Sequence, residues 1–258
     1  MSSYETITVE IADCVARVTL NRNEIRNAFD DRMVAELTDA FHSIEDDDEA
    51  KVIILTGAGD AFSAGADLNW MKRMATYTFD ENVADSTAMG RMFGVIHGCE
   101  KPVIGRINGP AVGGGVGLVA SVDIAVASEK ARFRFSEVKL GLVPAVISPF
   151  VIERIGPSRA RPLFISGDWI DAERARDIGL VDAVVPHDLL DRAIDDVIDR
   201  LRSSGPLAMG HAKDLVQMVV DGRDHEDLAI MIAELRASEE GQEGISAFLE
   251  KRRPEWRW

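Results

Sequence analysis

The residues best placed to do chemistry in this sequence are two glycine-rich segments and one carboxylate. The first segment, Gly57-Ala-Gly-Asp-Ala-Phe-Ser-Ala-Gly-Ala-Asp-Leu68, follows the apolar run Val52-Ile-Ile-Leu-Thr56 directly. The second, Asn108-Gly-Pro-Ala-Val-Gly-Gly-Gly-Val-Gly-Leu118, follows Val103-Ile-Gly-Arg-Ile107. Small residues in such loops let a ligand approach the backbone and leave amide N–H groups free to point at it. If the loops converge at strand ends, they can offer two amides to one oxygen, the arrangement of an oxyanion hole. The same glycines also suit tight turns and close helix–strand packing, so on residue type alone both readings stand. The carboxylate is Glu137, set between Phe135 and Leu140.

Other chemistries find no support. The chain has no HExxH helix, no CxxC pair, no Gly-x-x-x-x-Gly-Lys-Ser/Thr and no Gly-x-Ser-x-Gly elbow. The histidines at 42, 97, 187, 211 and 225 lack metal-ligand spacing, so no metal site is expected. Gly113-Gly-Gly-Val-Gly117 does not fit Gly-x-Gly-x-x-Gly in register, and no acidic residue follows at the end of a second strand, which argues against a nicotinamide cofactor. The 258 residues carry 44 Asp+Glu against 29 Lys+Arg, a net charge of −15. A field of that sign repels nucleic acid and anionic membranes, so neither is expected as a partner. The acidity is uneven: residues 101–150 hold six Lys/Arg against three Asp/Glu, and the last eight residues hold four against one. Two cysteines, Cys14 and Cys99, and no basic-then-apolar leader suit a cytoplasmic location. The weakly charged stretch Val103–Ala127 contains Arg106, Asn108, Pro110, Asp123 and six glycines, and reads as a buried βα segment rather than a membrane span.

The elements that must position these groups alternate through the first half. Ile7–Glu10 and Val15–Leu20 are strand-like, and Asp30 or Asp31 can cap a helix to about Asp46 with Met33, Leu37, Phe41 and Ile44 on one face. Val52–Thr56, Val103–Ile107 and Asp123–Ala127 read as buried parallel strands, with helices opening near Asp67 and after the second glycine turn. This rhythm predicts an α/β fold. Beyond about Gly156 the strand signal nearly vanishes, and residues 159–252 carry mostly helical spacing. We expect a core over 1–200 and a helical region over 201–258.

Three motifs in order, Ala61-Phe-Ser-Ala-Gly-Ala-Asp-Leu68, Asn108-Gly-Pro-Ala-Val-Gly-Gly-Gly115 and Phe135-Ser-Glu-Val-Lys-Leu-Gly-Leu-Val-Pro144, make the chain resemble the crotonase (enoyl-CoA hydratase/isomerase) superfamily. The resemblance runs from Asn21-Arg22 and Asn27-Ala28 to Phe248-Leu-Glu-Lys-Arg252. It implies a spiral of repeated ββα units, with C-terminal helices that trimerise and a frequent dimer of trimers. It implies an acyl-CoA thioester as substrate, with coenzyme A arriving as part of it and no separate cofactor. The amides of Ala66 and Gly114 would form the oxyanion hole, and Glu137 would act as acid/base. Arg26, Ala64 and Leu68 would lie along the coenzyme A entrance, while Phe248 and Lys251 resemble the pair that reaches coenzyme A from an adjacent subunit. Trp70, Gly117 and Pro144 would line the substrate pocket, although Asp67 and Trp70 also read as a helix cap and a packing residue.

One departure stands out. Hydratases of this superfamily typically carry two glutamates, and the first of these positions is Gly117 here. A one-glutamate hydratase, a double-bond isomerase and a non-catalytic acyl-CoA binder remain as readings. Residues 144–150 and 240–256 resemble a methylglutaconyl-CoA hydratase subgroup that also has Gly-Leu at the first site. On that resemblance, Gly117 would make room for a second substrate carboxylate or its water, or would widen the pocket for a branched chain.

Overall fold

The computed structural model describes residues 4–256 and 258. Its central feature is a sheet built from strands that each follow a short connection and hand the chain to a second layer. Strands β1 (Ile7–Ala12) and β2 (Val15–Leu20) form an antiparallel hairpin. Helix α1 (Asp31–Glu45) follows, with the Asp30 carboxylate accepting the Met33 N–H, and buries Met33, Leu37, Phe41 and Ile44. Strand β3 (Val52–Gly57) is buried at every position, as a strand covered on both faces must be. Helices α2 (Leu68–Met74) and α3 (Phe79–Gly98) lead to β4 (Val103–Ile107), the two-residue β5 (Ala111–Val112) and α4 (Gly114–Ser121). Then come β6 (Ile124–Ser128), β7 (Arg132–Arg134), α5 (Ser148–Ile155), α6 (Pro157–Ser166), β8 (Trp169–Asp171), α7 (Ala172–Asp177) and β9 (Ala183–Val185). Helices α8 (Leu190–Leu201), α9 (Pro206–Val220), α10 (His225–Ala237) and α11 (Glu239–Glu250) complete the chain.

The larger sheet has the order β1-β2-β3-β4-β6-β9, parallel after the first pair. The second layer holds β5-β7-β8, and parallel bridges at Ser63–Ala111 and Phe29–Ala66 extend it toward the N-terminus. Each turn of the chain therefore leaves one strand in the large sheet and one short segment in the second layer. That is the expected ββα spiral, followed by the expected helical C-terminal region. The strands β8 and β9 lie beyond Gly156, where strand text was scarce. Each is three residues long, too short to show a period of two, and exists through its pairing with β7 or β6.

Two buried asparagines lock the first glycine loop to this frame. The Asn108 side chain donates to the carbonyls of Gly59 (2.8 Å) and Ala61 (3.1 Å) and accepts the Gly57 N–H (3.2 Å). Asn27, in the left-handed region with φ +55°, donates to Ala58 (2.8 Å) and Ala61 (2.9 Å) and accepts the Arg22 N–H (3.1 Å). Replacing Asn108 by Ala would leave several buried backbone groups unpaired, at about 1–3 kcal/mol for each group that water cannot reach. Asn108→Ala is expected to lower unfolding free energy by roughly 2–4 kcal/mol in a denaturant titration, with a loss of site activity at temperatures where the protein remains folded.

Candidate active site

The first loop turns away from β3 so that one stretch of it runs as a bridge strand beside Phe29. The Phe29 N–H donates to Gly65 O (2.8 Å) and the Asp67 N–H to Phe29 O (2.9 Å). These bonds flank Ala66 on one side, and its own N–H faces the other way with no partner among the described residues. The loop is fastened to the second glycine segment by the N–H groups of Phe62 and Ser63, both donating to Pro110 O (3.1 Å each), and by Val112 N–H to Ser63 O (3.0 Å). Gly65 has φ +83°, and a Cβ there would lie 2.6 Å from Val112 O and 3.9 Å from the Gly114 amide nitrogen. No side chain fits between the loops at this point.

Gly113, with φ +52°, turns the chain into α4, and its N–H donates to Arg134 O (2.8 Å). Gly114 then opens the helix, where backbone N–H groups lack intrahelical partners and the helix dipole presents its positive end. The Gly114 N–H has no partner among the described residues. The space against its α-carbon is filled by the Phe29 ring, whose tip would meet a Cβ at 2.2 Å. Two free amides thus come from adjacent strand ends.

Glu137 starts a short helical turn, Glu137–Leu140, after the two residues Phe135 and Ser136 that follow β7. Its Oε1 lies 3.1 Å from where a Gly113 Cβ would be, so the carboxylate sits against the glycine turn. Its Oε2 is buried and has no hydrogen-bond partner among the described residues. Burial pushes the carboxyl above its ordinary range, opposed only by a bond from its own backbone N–H. A carboxyl that is desolvated and largely unpaired beside free amide donors has the properties of an acid/base group rather than of an ion-pair partner.

The structure brings Arg26, Ala64, Ala66, Gly114 and Glu137 into one region. Arg26 has φ +55° and an exposed side chain, and its carbonyl accepts the Ala64 N–H (2.9 Å). Leu68 is 74 % exposed at the start of α2. Pro144 is buried, while Leu140, Leu142 and Val143 around it are exposed. Phe248 is 83 % exposed on α11, and Lys251, φ +55°, ends that helix. No hydrogen bond among the described residues joins α11 to either glycine loop.

Two expectations are corrected. Trp70 does not line the pocket: its indole is 1 % exposed, donates through Nε1 to Asp85 (3.1 Å) and packs 6.1 Å from the Phe29 ring. It supports the ring that backs Gly114. Asp67, as the alternative reading had it, caps α2 by accepting from Asn69 (2.6 Å) and Trp70 (3.4 Å), and it also pairs with Arg22 (2.8 Å). Burial works to raise its carboxyl, but these bonds and Arg22 together hold it below the ordinary range. The second correction concerns Gly117. No room for a substrate carboxylate or its water exists beside it, because a Cβ at that position would meet Ile147 Cγ2 at 2.3 Å and the Phe93 ring at 2.9 Å. An apolar plug occupies the space. Neither Ile147 nor Phe93 stood out in the sequence, since an Ile and a Phe 54 residues apart carry no short-range signal.

With this geometry in place, the similarity to known proteins is specific. Residues 10–258 match the enoyl-CoA hydratase/isomerase family. A crotonyl-CoA hydratase of Syntrophomonas wolfei is 33 % identical over 97 % of this chain and 97 % of its own. Among solved structures, an enoyl-CoA hydratase from Shewanella pealeana is 37 % identical with a TM-score of 0.94, covering 98 % of this chain and 96 % of that one. An enoyl-CoA hydratase/isomerase from Marinobacter aquaeolei is 34 % identical with a TM-score of 0.92, covering 98 % and 99 %. The chain belongs to the enoyl-CoA hydratase/isomerase family and is an enzyme of the crotonase superfamily.

Two outcomes follow from the site's packing and charge. Gly117→Glu is expected to lower the melting temperature and not to raise turnover, because Ile147 and Phe93 must be displaced to seat the new side chain. Glu137→Gln should do the opposite for stability. The folded state holds the Glu137 proton more tightly than the unfolded chain does, so this group favours folding below the unfolded carboxyl pKa, and that contribution is lost as pH rises through the raised folded value. The variant's gain in melting temperature over wild type should therefore be larger at pH 8 than at pH 4; an equal gain at both would refute the assignment of a desolvated carboxylate.

Proposed function

We propose that the protein hydrates the 2,3-double bond of an enoyl-CoA thioester with Glu137 as the one carboxylate acid/base. The observation that carries this reading is the buried, unpartnered Glu137 carboxylate set against the Gly113 turn, beside two free amides. The thioester carbonyl accepts hydrogen bonds from the Ala66 and Gly114 N–H groups. Water adds at C3, its proton passing to Glu137, and charge collects on the thioester oxygen as the enolate develops. Glu137 returns a proton to C2, so the enzyme ends in its starting state. Amide donors fixed before the reaction favour the enolate without reorganising, and one such donor typically lowers the barrier by about 3–4 kcal/mol. Arg26, Ala64 and Leu68 would flank the coenzyme A portion at the mouth.

An isomerase would need the same oxyanion hole and one carboxylate, moving a proton between carbons without water. The relatives named as hydratases favour hydration. The exposed apolar side chains of the C-terminal helices, including Val216, Val219, Val220, Ile230 and Phe248, fit burial between subunits. We propose a trimer or a dimer of trimers, in which Phe248 and Lys251 of one subunit meet coenzyme A held by the next.

Turnover is read from loss of the conjugated enoyl-thioester absorbance together with product mass. Hydration adds one water, whereas isomerisation leaves the mass unchanged. Glu137→Gln should lower kcat by about 10²–10⁴-fold, and wild-type kcat/KM should fall as pH drops through a pKa above the ordinary carboxylate range. Undiminished turnover in the variant would overturn the mechanism.

A further inference from the structure

Phe29 is bound to both glycine loops at once. Its N–H donates to Gly65 O (2.8 Å) and its carbonyl accepts the Asp67 N–H (2.9 Å), so its backbone runs beside Ala66 as a parallel bridge. Its side chain crosses to the other loop. The ring atoms Cζ, Cε1 and Cε2 lie 2.2, 3.0 and 3.3 Å from where a Gly114 Cβ would be. The residue is 1 % exposed, and behind the ring the Trp70 indole packs at 6.1 Å, itself tied to Asp85. The Phe29 backbone has as little freedom. Arg22 donates to the Ala28 carbonyl (2.9 Å) and pairs with Asp30 (3.0 Å) and Asp67 (2.8 Å), which clamps the chain on both sides of Phe29 to the residue after Ala66. One residue is thus pinned by its backbone to the first amide's strand and by its ring to the second amide's α-carbon.

We propose that Phe29 is a positioning residue that fixes the spacing of the Ala66 and Gly114 amides, so that turnover depends on a buried ring that meets no substrate atom. The inference rests on the oxyanion role proposed above for those amides. The two donors belong to separate loops, and each serves only at hydrogen-bonding distance from the same oxygen. The loops are also joined at Pro110 and Val112, but those bonds hold Phe62 and Ser63, whereas the residues on either side of Ala66 bond to Phe29. A phenyl ring is a stiff spacer. Methionine is unbranched with three rotatable bonds, so in its place it fills the space without fixing it. Cores repacked in this way lose a unique arrangement before they lose stability.

The test compares wild type, Phe29→Met, Phe29→Leu and Phe41→Leu by melting temperature, by kcat and KM with crotonyl-CoA, and by the enolate fraction of bound acetoacetyl-CoA. That ligand ionises to an enolate with charge on its thioester oxygen, and its absorbance reports the ionised fraction. Phe41, buried on α1 outside both loops, controls for lost packing alone. Wild type should hold more of the ligand as enolate than is present free in solution. In both Phe29 variants kcat and kcat/KM should fall together by about 10–100-fold with KM moving less than about threefold, and the enolate-to-keto ratio should drop by a similar factor. Phe41→Leu should lower the melting temperature and leave kcat and the ratio near their wild-type values. Wild-type kcat and ratio in the Phe29 variants, or an equal fall in Phe41→Leu, would overturn the inference. Gly114→Ala gives a second check: its methyl meets the ring tip and should lower kcat, and adding Phe29→Leu should restore part of that loss, so no restoration also counts against the inference. If wild type does not enrich the enolate, the oxyanion reading itself fails and this inference goes with it.

Discussion

A single carbonyl, that of Ala61, is held by two side-chain amides at once, from Asn27 and from Asn108. Asn27 arrives from the turn after β2, and Asn108 from the end of β4. Their shared acceptor lies on the loop that follows β3. Three neighbouring strands are thereby locked together at their C-terminal ends, and the loop has no freedom to drift. The consequence reaches the site within a few residues. With Ala61 fixed, Phe62 and Ser63 dock on Pro110, Ser63 Oγ donates to Asn27 O (2.9 Å), and Ala66 is held with its N–H free. Buried and fully bonded, such amides specify one arrangement; half satisfied, they would cost more than an apolar core.

Glu137 is the counterpart to that rigidity. Everything around the two amides is paired or packed, and the carboxylate beside them is left with a buried oxygen that nothing in the described chain satisfies. The same desolvation that raises its carboxyl makes it a weak point of the folded state, the exchange of stability for activity that a reactive site would require. The Phe29 ring against Gly114 and the Trp70 indole behind it supply the packing that keeps this arrangement from collapsing. The positive charge of residues 101–150 and of the last eight residues is likewise local, set against a net charge of −15 for the whole chain.

Much of this was legible in the chain. The buried strands announced themselves as β-branched runs, α1 by its apolar stripe and Asp30 cap, and the two loops by glycines placed directly after strands. Glu137 stood out as the carboxylate between Phe135 and Leu140, within a weakly basic window and a recognisable motif. What was not legible is instructive. The short strands β8 and β9 depend on partners distant in sequence, Trp70 reads from sequence as either a pocket or a packing residue until its neighbours place it in the core, and the emptiness expected beside Gly117 does not exist.

The amino-acid sequence by itself determined the family, the alternation of strands and helices, the two candidate amides and the single carboxylate, because these reside in residue types at fixed short spacings. Only the tertiary structure decided what lies next to what. A glycine in a sequence states that a side chain is missing, but whether that absence leaves a cavity, admits a backbone or is filled by a neighbour depends on segments folded in from elsewhere. At Gly65 it admits a carbonyl, at Gly113 it lies against the Glu137 carboxylate, and at Gly117 it is filled by Ile147 and Phe93. Close packing leaves no gap unclaimed in a core, so the meaning of each missing Cβ is set by three-dimensional neighbours and not by sequence position.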